Sequence, residues 1–350
     1  MTVKGAPPIE CVDLFCGLGG LTHGLSREGV KVRAGVDVDP ECRVPYETNN
    51  AAAFHKSDVR EMTGTQLSAL FSEGSVRLLA GCAPCQPFST YSRKGHRCRK
   101  DKMWSLVDDF GRLVREMGPD LVTMENVPQL VHHLVFTRFL KALNGYHTSW
   151  GVVDCSQYGV PQTRKRLVLL ASRYSPVSLP APSQNDRQRT VRDAIARLRP
   201  LAAGETDPRD ALHSACRLSP LNLRRIQASK PGGTWRDWDD ALRASCHVKN
   251  TGQTYPSVYG RMEWDAPAPT ITTQCFGFGN GRFGHPEQNR AITLREAAIL
   301  QTFPPDYRFV DDGGRVKFSV MGRLIGNAVP VRIGEVIGKS LVRHVRDAAH

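Results

Sequence analysis

The 350-residue chain has no run of about 18 or more apolar residues, the length that a membrane-spanning helix needs. Its first residues, MTVKGAPP, lack the apolar stretch of a signal peptide, so we expect a cytoplasmic protein without a membrane partner. In that compartment the ten cysteines are expected to be thiols rather than disulfides. The chain also shows no internal repeat and no low-complexity segment.

Acidic residues are in deficit. The chain has 34 Asp and Glu against 47 Lys and Arg, which gives a formal net charge of +13 and a pI of about 9.5. Such a balance favours a polyanionic partner, and nucleic acid is the simplest one. The hydrophobic content of 40% is enough for one large domain and a smaller one.

Short apolar runs alternate with segments of helical periodicity in the first half of the chain. The predicted strands are 9–15, 32–39, 76–81, 120–127 and 166–172, and the predicted helices are 40–50, 103–117 and 129–143. This alternation predicts an α/β fold whose sheet is mostly parallel and carries helices on both faces.

The composition changes near Ser175. From there to Asp265, proline, arginine and glycine are frequent and periodicity is poor, which predicts a separate, loop-rich domain. Helical patterns return at 293–303 and 334–349. We therefore divide the chain into 1–174, 175–265 and 266–350, with the last segment returning to the first domain.

Two cysteines, Cys82 and Cys85, lie in the stretch LLAGCAPCQPFST, residues 78–90. They could form a redox dithiol of the thioredoxin type, or a zinc site together with His96 and Cys98. In a third interpretation Cys82 ends a strand and is only packed. Cys85 then lies in the loop at the carboxyl end of that strand, where α/β proteins bind ligands and where an activated thiol can be a nucleophile.

Four further stretches are each weak evidence alone. DLFCGLGG (13–20) is a glycine turn after the first strand that does not fit the dinucleotide fingerprint G-x-G-x-x-G. ENV (125–127) puts Glu125 at the end of a strand. QTRKR (162–166) places Arg164 and Arg166 at the start of another strand, and GNAVP (326–330) is a turn before the last helix.

In this order, DLFCGLGG, PCQPFS, ENV, QTRKR and GNAVP resemble the motifs of the C5-cytosine DNA methyltransferases. The resemblance runs from residue 10 to the end, apart from 175–265. It implies a Rossmann-like, S-adenosylmethionine-dependent methyltransferase domain in 1–174 and 266–350 and a target-recognition domain in 175–265. The implied substrate is duplex DNA, from which one cytosine is flipped out and methylated at C5, with S-adenosylmethionine as cofactor and no metal.

The resemblance also implies roles for four catalytic residues. Cys85 matches the nucleophile that attacks C6 of cytosine, and Glu125 matches the residue that holds N3 and the exocyclic amine. Arg166 matches the residue placed against O2 of the base, and Arg164 lies beside it.

Further residues are assigned by the same resemblance to the cofactor and to DNA. The cofactor set is Phe15, Gly17, Gly19, Asp37, Asp58, Pro84 and Asn327. At Asp37 many members of the family have glutamate, so this side chain has a shorter reach. The DNA set is Gln86, Ser89, Arg93, Lys94 and Arg97, in a basic loop that is expected to close over the duplex.

Two alternatives stay open. One is a cytosine-5 methyltransferase that acts on tRNA, and the other is a catalytically inactive, DNA-binding relative. The resemblance further implies a monomeric bacterial enzyme that is associated with the nucleoid while it acts. Three settings stay open, namely a functional pair with a restriction endonuclease, another defence system and an enzyme that acts alone. In the recognition segment, Trp235 and Trp238 are predicted to lie in the core rather than to stack on bases.

Overall fold

The structure is a computed structural model that describes residues 7–84, 97–182, 187–249, 252, 254–311 and 313–348, without the side chains of 97–104. The chain forms two compact units. The first contains 1–158, 165–183 and 329–350, and the second contains 159–164 and 184–328. The second unit therefore extends further along the chain than the segment 175–265.

The secondary structure elements are numbered in chain order. The strands are β1 Ile9–Leu14, β2 Lys31–Asp37, β3 Ala53–Lys56, β4 Val76–Gly81, β5 Leu121–Asn126, β6 His147–Asp154, β7 Gln162–Thr163, β8 Lys165–Ser172, β9 Thr206–Asp207, β10 Asp210–Ser214 and β11 Ala268–Pro269. The α-helices are α1 Gly20–Arg27, α2 Arg43–Asn49, α3 Gly64–Ser68, α4 Arg97–Met117, α5 Leu134–Ala142, α6 Val191–Ile195, α7 Pro220–Ala228, α8 Ser245–Val248, α9 Leu294–Leu300, α10 Phe318–Asn327 and α11 Val331–Ala348.

A seven-stranded sheet forms the first unit, in the order β3-β2-β1-β4-β5-β8-β6. β1 to β5 pair in parallel, and β8 runs antiparallel to both of its neighbours. Every residue of β1 and β5 is buried, as expected for central strands that are covered on both faces. The predicted α/β class with a mostly parallel sheet is confirmed.

Strand β6 was missing from the sequence prediction, and the direction of β8 was not foreseen. β6 lies at the edge of the sheet, and Trp150 and Val152 are about half exposed, so the strand shows no continuous apolar run. Residues 155–164 join β6 to β8 without an α-helix, and so short a connection is compatible only with antiparallel strands.

Helix pairs pack closely in the first unit. A Cβ atom added to Gly24 of α1 would lie 2.3 Å from the backbone oxygen of Val331 in α11, so this approach requires glycine. In the other pair, the rings of Phe110 in α4 and Phe139 in α5 lie 5.0 Å apart, and both belong to the core that covers β4 and β5. These contacts hold the sheet that carries the candidate site.

Short elements joined by long loops build the second unit. Its aromatic core contains Trp235 and Trp238, which are both buried, so the prediction that they are core residues is confirmed. The buried guanidinium of Arg261 donates hydrogen bonds to backbone oxygens that include those of Ile226 and Ser229. In both units, no helix within the described ranges is long and apolar enough to cross a membrane.

Candidate active site

The sheet brings the ends of several strands to one edge. β1, β2, β4 and β5 are parallel, so their carboxyl ends meet there, and the antiparallel β8 begins at the same edge. The chain order reverses between β1 and β4, which is where open α/β sheets bind ligands. The glycine turn follows β1, and the CAPC segment follows β4.

Glu125 occupies the end of β5 and is only 2% exposed. The Arg166 Nε atom, from the start of β8, lies 2.8 Å from Glu125 Oε1 and forms an ion pair with it. The Cys82 thiol donates a hydrogen bond to Glu125 Oε2 at 2.8 Å. Oε1 makes no hydrogen bond to any residue that the structure describes, because the Arg166 contact is a charge contact without hydrogen-bond geometry.

Asn126 ties the CAPC segment to β5. Its side-chain Nδ2 donates to the backbone oxygen of Ala83 at 3.1 Å, and its Oδ1 accepts from the backbone N–H of Val127 at 2.8 Å. Asn126 is buried, so this link is shielded from water. The residues that precede Cys85 are therefore held against the strand that carries Glu125.

The glycine turn has left-handed backbone angles at three of the predicted cofactor residues. The φ angles of Phe15, Gly17 and Gly19 are 58°, 52° and 84°. Asp37, at the end of β2, accepts the backbone N–H of Gly17 on Oδ2 at 3.0 Å and that of Asp39 on Oδ1 at 2.9 Å. Burial raises the pKa of Asp37. The carboxylate thus fixes the turn from the neighbouring strand.

A buried carboxyl that sequence reasoning missed lies behind the turn. Asp13 Oδ2 accepts the Thr22 hydroxyl at 2.7 Å, and Thr22 Oγ1 lies 3.0 Å from the hydroxyl of Tyr46. Asp13 Oδ1 has no hydrogen-bond partner among the described residues. Burial raises the pKa of Asp13 to about 7. The available signal was an acidic residue near the end of the mostly apolar strand β1, which also contains Glu10.

The other predicted cofactor residues have different surroundings. Asp58 accepts the backbone N–H of Arg60 at 3.0 Å and its Nε at 2.9 Å, and the bond from the Arg60 side chain lowers the pKa of Asp58. Pro84 is exposed in the first unit. Asn327 is exposed at the end of α10 in the second unit.

The side chains of the two arginines of QTRKR have different partners. Arg166 faces Glu125, whereas Arg164 belongs to the second unit and is 1% exposed. Its Nη1 donates to the oxygen of Ile271 at 3.1 Å, and its Nη2 donates to those of Gly326 and Ala328, both at 3.2 Å. Arg164 therefore holds the backbone of the GNAVP turn, and a direct catalytic role for it stays a prediction.

Several predicted residues lie outside the described part of the chain. They are Cys85, Gln86, Ser89, Arg93 and Lys94, and the same holds for the side chain of Arg97 at the start of α4. The zinc alternative also depends on Cys85 and on His96, which lies outside as well. Within the described ranges, no group of three or more His, Cys, Asp or Glu residues could hold a metal ion.

Comparison with known proteins gives matches over almost the whole chain. A family model described as C-5 cytosine-specific DNA methylase matches residues 9–343. The chain is 51% identical over 338 residues to the Type II methylase M.HgiDII of Herpetosiphon aurantiacus, covering 95% of this chain and 94% of that protein. It is 30% identical over 361 residues to the Type II methyltransferase M.PspPI of a Psychrobacter strain, covering 99% and 82%.

A solved structure has a similar fold. It is a putative DNA modification methyltransferase encoded within a prophage of E. coli, and it superposes with a TM-score of 0.74 at 22% identity. The match covers 96% of this chain and 99% of that chain. At this identity the likeness concerns the fold.

Proposed function

The chain belongs to the C-5 cytosine-specific DNA methylase family and is an S-adenosylmethionine-dependent DNA (cytosine-5) methyltransferase, and we propose that Cys85, Glu125 and Arg166 carry its reaction. The family match confirms the resemblance seen in the motifs. It also favours DNA over the tRNA alternative, since the matching family and relatives are named as DNA methylases and Type II enzymes. The observation that supports the residue assignment is the buried Glu125–Arg166 pair beside the CAPC segment.

The proposed chemistry begins with the thiolate of Cys85, which forms a bond to C6 of a flipped cytosine. The electron pair of the C5–C6 double bond shifts through C4 onto N3, and N3 takes up a proton through Glu125, which stabilises the adduct. This proton is returned when the product forms. Glu125 Oε1, which accepts no hydrogen bond from the described residues, is suited to hold N3 and the exocyclic amine. S-adenosylmethionine supplies the methyl group when it is bound. After C5 has been methylated, water removes the C5 proton, the S–C6 bond breaks and Cys85 leaves as thiolate.

Arg166 has two effects in this scheme. Its guanidinium compensates the charge of the buried Glu125, and it also presents positive charge to an oxygen of the base. A positive group close to developing negative charge in a water-excluded site stabilises the transition state.

The glycine turn after β1 has room for S-adenosylmethionine beside it. A Cβ atom added to Gly17 would meet nothing within 4 Å, so the turn borders open space. The backbone of Phe15, Gly17 and Gly19 would approach the methionine part there, where larger side chains would clash. We assign the ribose hydroxyls to Asp37, the adenine amine to Asp58, and further contacts to Pro84 and Asn327.

The roles of the remaining segments follow from the same assignment. The loop with Gln86, Ser89, Arg93, Lys94 and Arg97 contacts the DNA, and the segment 175–265 selects the sequence. Residues 1–174 and 266–350 supply catalysis and cofactor binding. The protein acts as a monomer in the bacterial cytoplasm and is paired with a restriction endonuclease. No metal takes part, so a chelator is expected to leave the rate unchanged.

Bisulfite sequencing of a plasmid grown with this protein, in a host that lacks cytosine methylation, tests the proposal. We expect methylated cytosines within one short motif, and none with the Cys85→Ser variant. Methylation that survives Cys85→Ser would overturn the assignment of the nucleophile. Resistance of the same plasmid to endonucleases that cut at the methylated motif would support a role in restriction and modification.

A further inference from the structure

We propose that Cys82 is a positioning residue for the methyl transfer reaction, because its thiol holds Glu125 Oε2 and thereby presents Oε1 to the cytosine. The inference depends on the proposed role of Glu125. Cys82 is separate from the nucleophile Cys85, and it acts through Glu125 rather than on the base.

The sheet register places the two side chains together. In the parallel pair of β4 and β5, Gly81 lies opposite Met124, so Cys82 and Glu125 follow at equivalent positions. The Asn126 side chain holds the backbone of Ala83, the residue after Cys82, at 3.1 Å. The thiol therefore approaches the carboxylate from a fixed backbone rather than from a free loop.

The two carboxylate oxygens of Glu125 make different contacts. Oε2 accepts the thiol of Cys82 at 2.8 Å. Oε1 lies beside the Arg166 charge but accepts no hydrogen bond from the residues that the structure describes. One oxygen is thus held by a hydrogen bond from the protein, and the other lies beside the Arg166 charge with its capacity to form hydrogen bonds unused by the described residues.

The chemistry of the side chains explains why such a contact is useful. The terminal torsion angle of a glutamate has a broad distribution. An ion pair at one oxygen therefore leaves the plane of the carboxylate poorly defined. A donor on the second oxygen defines that plane. A thiol suits this place because it is a weak donor and brings no charge that would compete with Arg166 for the carboxylate. Correct orientation of a group that holds the reacting base contributes to the rate rather than to substrate binding alone.

The test compares four variants of the full-length protein in steady-state methylation of duplex DNA that contains the target motif. Cys82→Ala removes the donor, Cys82→Ser restores one, and Glu125→Gln tests the role on which the inference rests. Cys216→Ala is the control, since Cys216 is a partly buried thiol of the second unit. Thermal unfolding of each variant reports whether it folds.

We expect Cys82→Ala to lower kcat about five-fold, the value of one hydrogen bond, while KM for DNA and for the cofactor stays within about two-fold. Cys82→Ser is expected to recover most of kcat, and Cys216→Ala to match the parent protein. A folded Cys82→Ala protein with full kcat, or a Cys82→Ser protein as slow as Cys82→Ala, would overturn the inference while leaving the role of Glu125 intact. A fully active Glu125→Gln protein would instead overturn the proposed function, and the inference with it.

Discussion

Arg166 Nε lies 2.8 Å from Glu125 Oε1, and the two side chains come from strands that run in opposite directions. Their exposures are 14% and 3%, so the pair is largely removed from water. Removal of one partner from a buried ion pair leaves the other charge uncompensated, which costs about 3–5 kcal/mol.

We therefore expect Arg166→Ala to lower the free energy of unfolding. Because the positive charge beside the base is lost as well, we expect it also to lower kcat/KM by at least about 100-fold. Arg166→Lys is expected to be intermediate, since lysine keeps the charge but lacks the planar guanidinium. Initial rates of methyl transfer from labelled cofactor measure both. Arg138→Ala is the control, because the ion pair of Arg138 with Asp108 is 53% and 37% exposed and an exposed pair contributes little. Equal rates for Arg166→Ala and Arg138→Ala would contradict the expectation.

Arg164→Lys is expected to act on stability. A lysine cannot donate to the three backbone oxygens of Ile271, Gly326 and Ala328 in the same geometry. We expect the free energy of unfolding to fall by about 2–4 kcal/mol, and activity to be lost in parallel on warming. Thermal unfolding and methylation rates at several temperatures provide the measurement. Lost activity at low temperature with unchanged unfolding would indicate the direct catalytic role predicted from sequence.

Gly17→Ala and Gly29→Ala form a matched pair that tests the cofactor site. Both glycines have positive φ angles, 52° and 89°, and a Cβ atom at either position would meet nothing within 4 Å. Each substitution is therefore expected to cost about 1–2 kcal/mol of backbone strain. Only Gly17→Ala is expected to weaken the binding of S-adenosylmethionine, measured by titration calorimetry. Equal affinities of the two variants for S-adenosylmethionine would contradict the assignment of the glycine turn to the cofactor site.

Asp13 makes the stability of the protein depend on pH. Its pKa is raised by burial from 3.8 to about 7, so the folded state holds a proton that the unfolded state has released between these values. The contribution of this group is full below pH 3.8 and is lost as the pH rises towards 7. From pH 5 to 7 we expect a loss of about 2 kcal/mol in the free energy of unfolding. Denaturant titrations at several pH values measure how the free energy of unfolding depends on pH. Asp13→Asn is expected to weaken this dependence, and the same pH dependence in both proteins would contradict this explanation.

The sequence predicts those parts of the fold that local patterns determine. β1, β4 and β5 are short apolar runs, and the family motifs place Glu125 and Arg166 in one site, where the structure brings them together. The half-exposed edge strand β6 has no such pattern. Two tertiary contacts were also beyond local reasoning, because they depend on how separate segments align. Cys82 was predicted to be packing but donates to Glu125, and Arg164 was placed beside Arg166 but bonds to backbone oxygens within its own unit, the second.

Because β5 and β8 pair side by side, only an insertion or deletion of an even number of residues in β8 keeps Arg166 on the same face of the sheet as Glu125. Glu125 lies opposite Val168, and Arg166 is two positions along β8 from Val168, so it shares the face of Glu125 as a diagonal neighbour. An insertion or deletion of one residue between Arg166 and Ser172 would turn Arg166 to the opposite face. A change of two residues would keep the face and shift the guanidinium along the strand. We therefore expect insertions and deletions in β8 to involve an even number of residues, whereas exposed loops tolerate even and odd numbers.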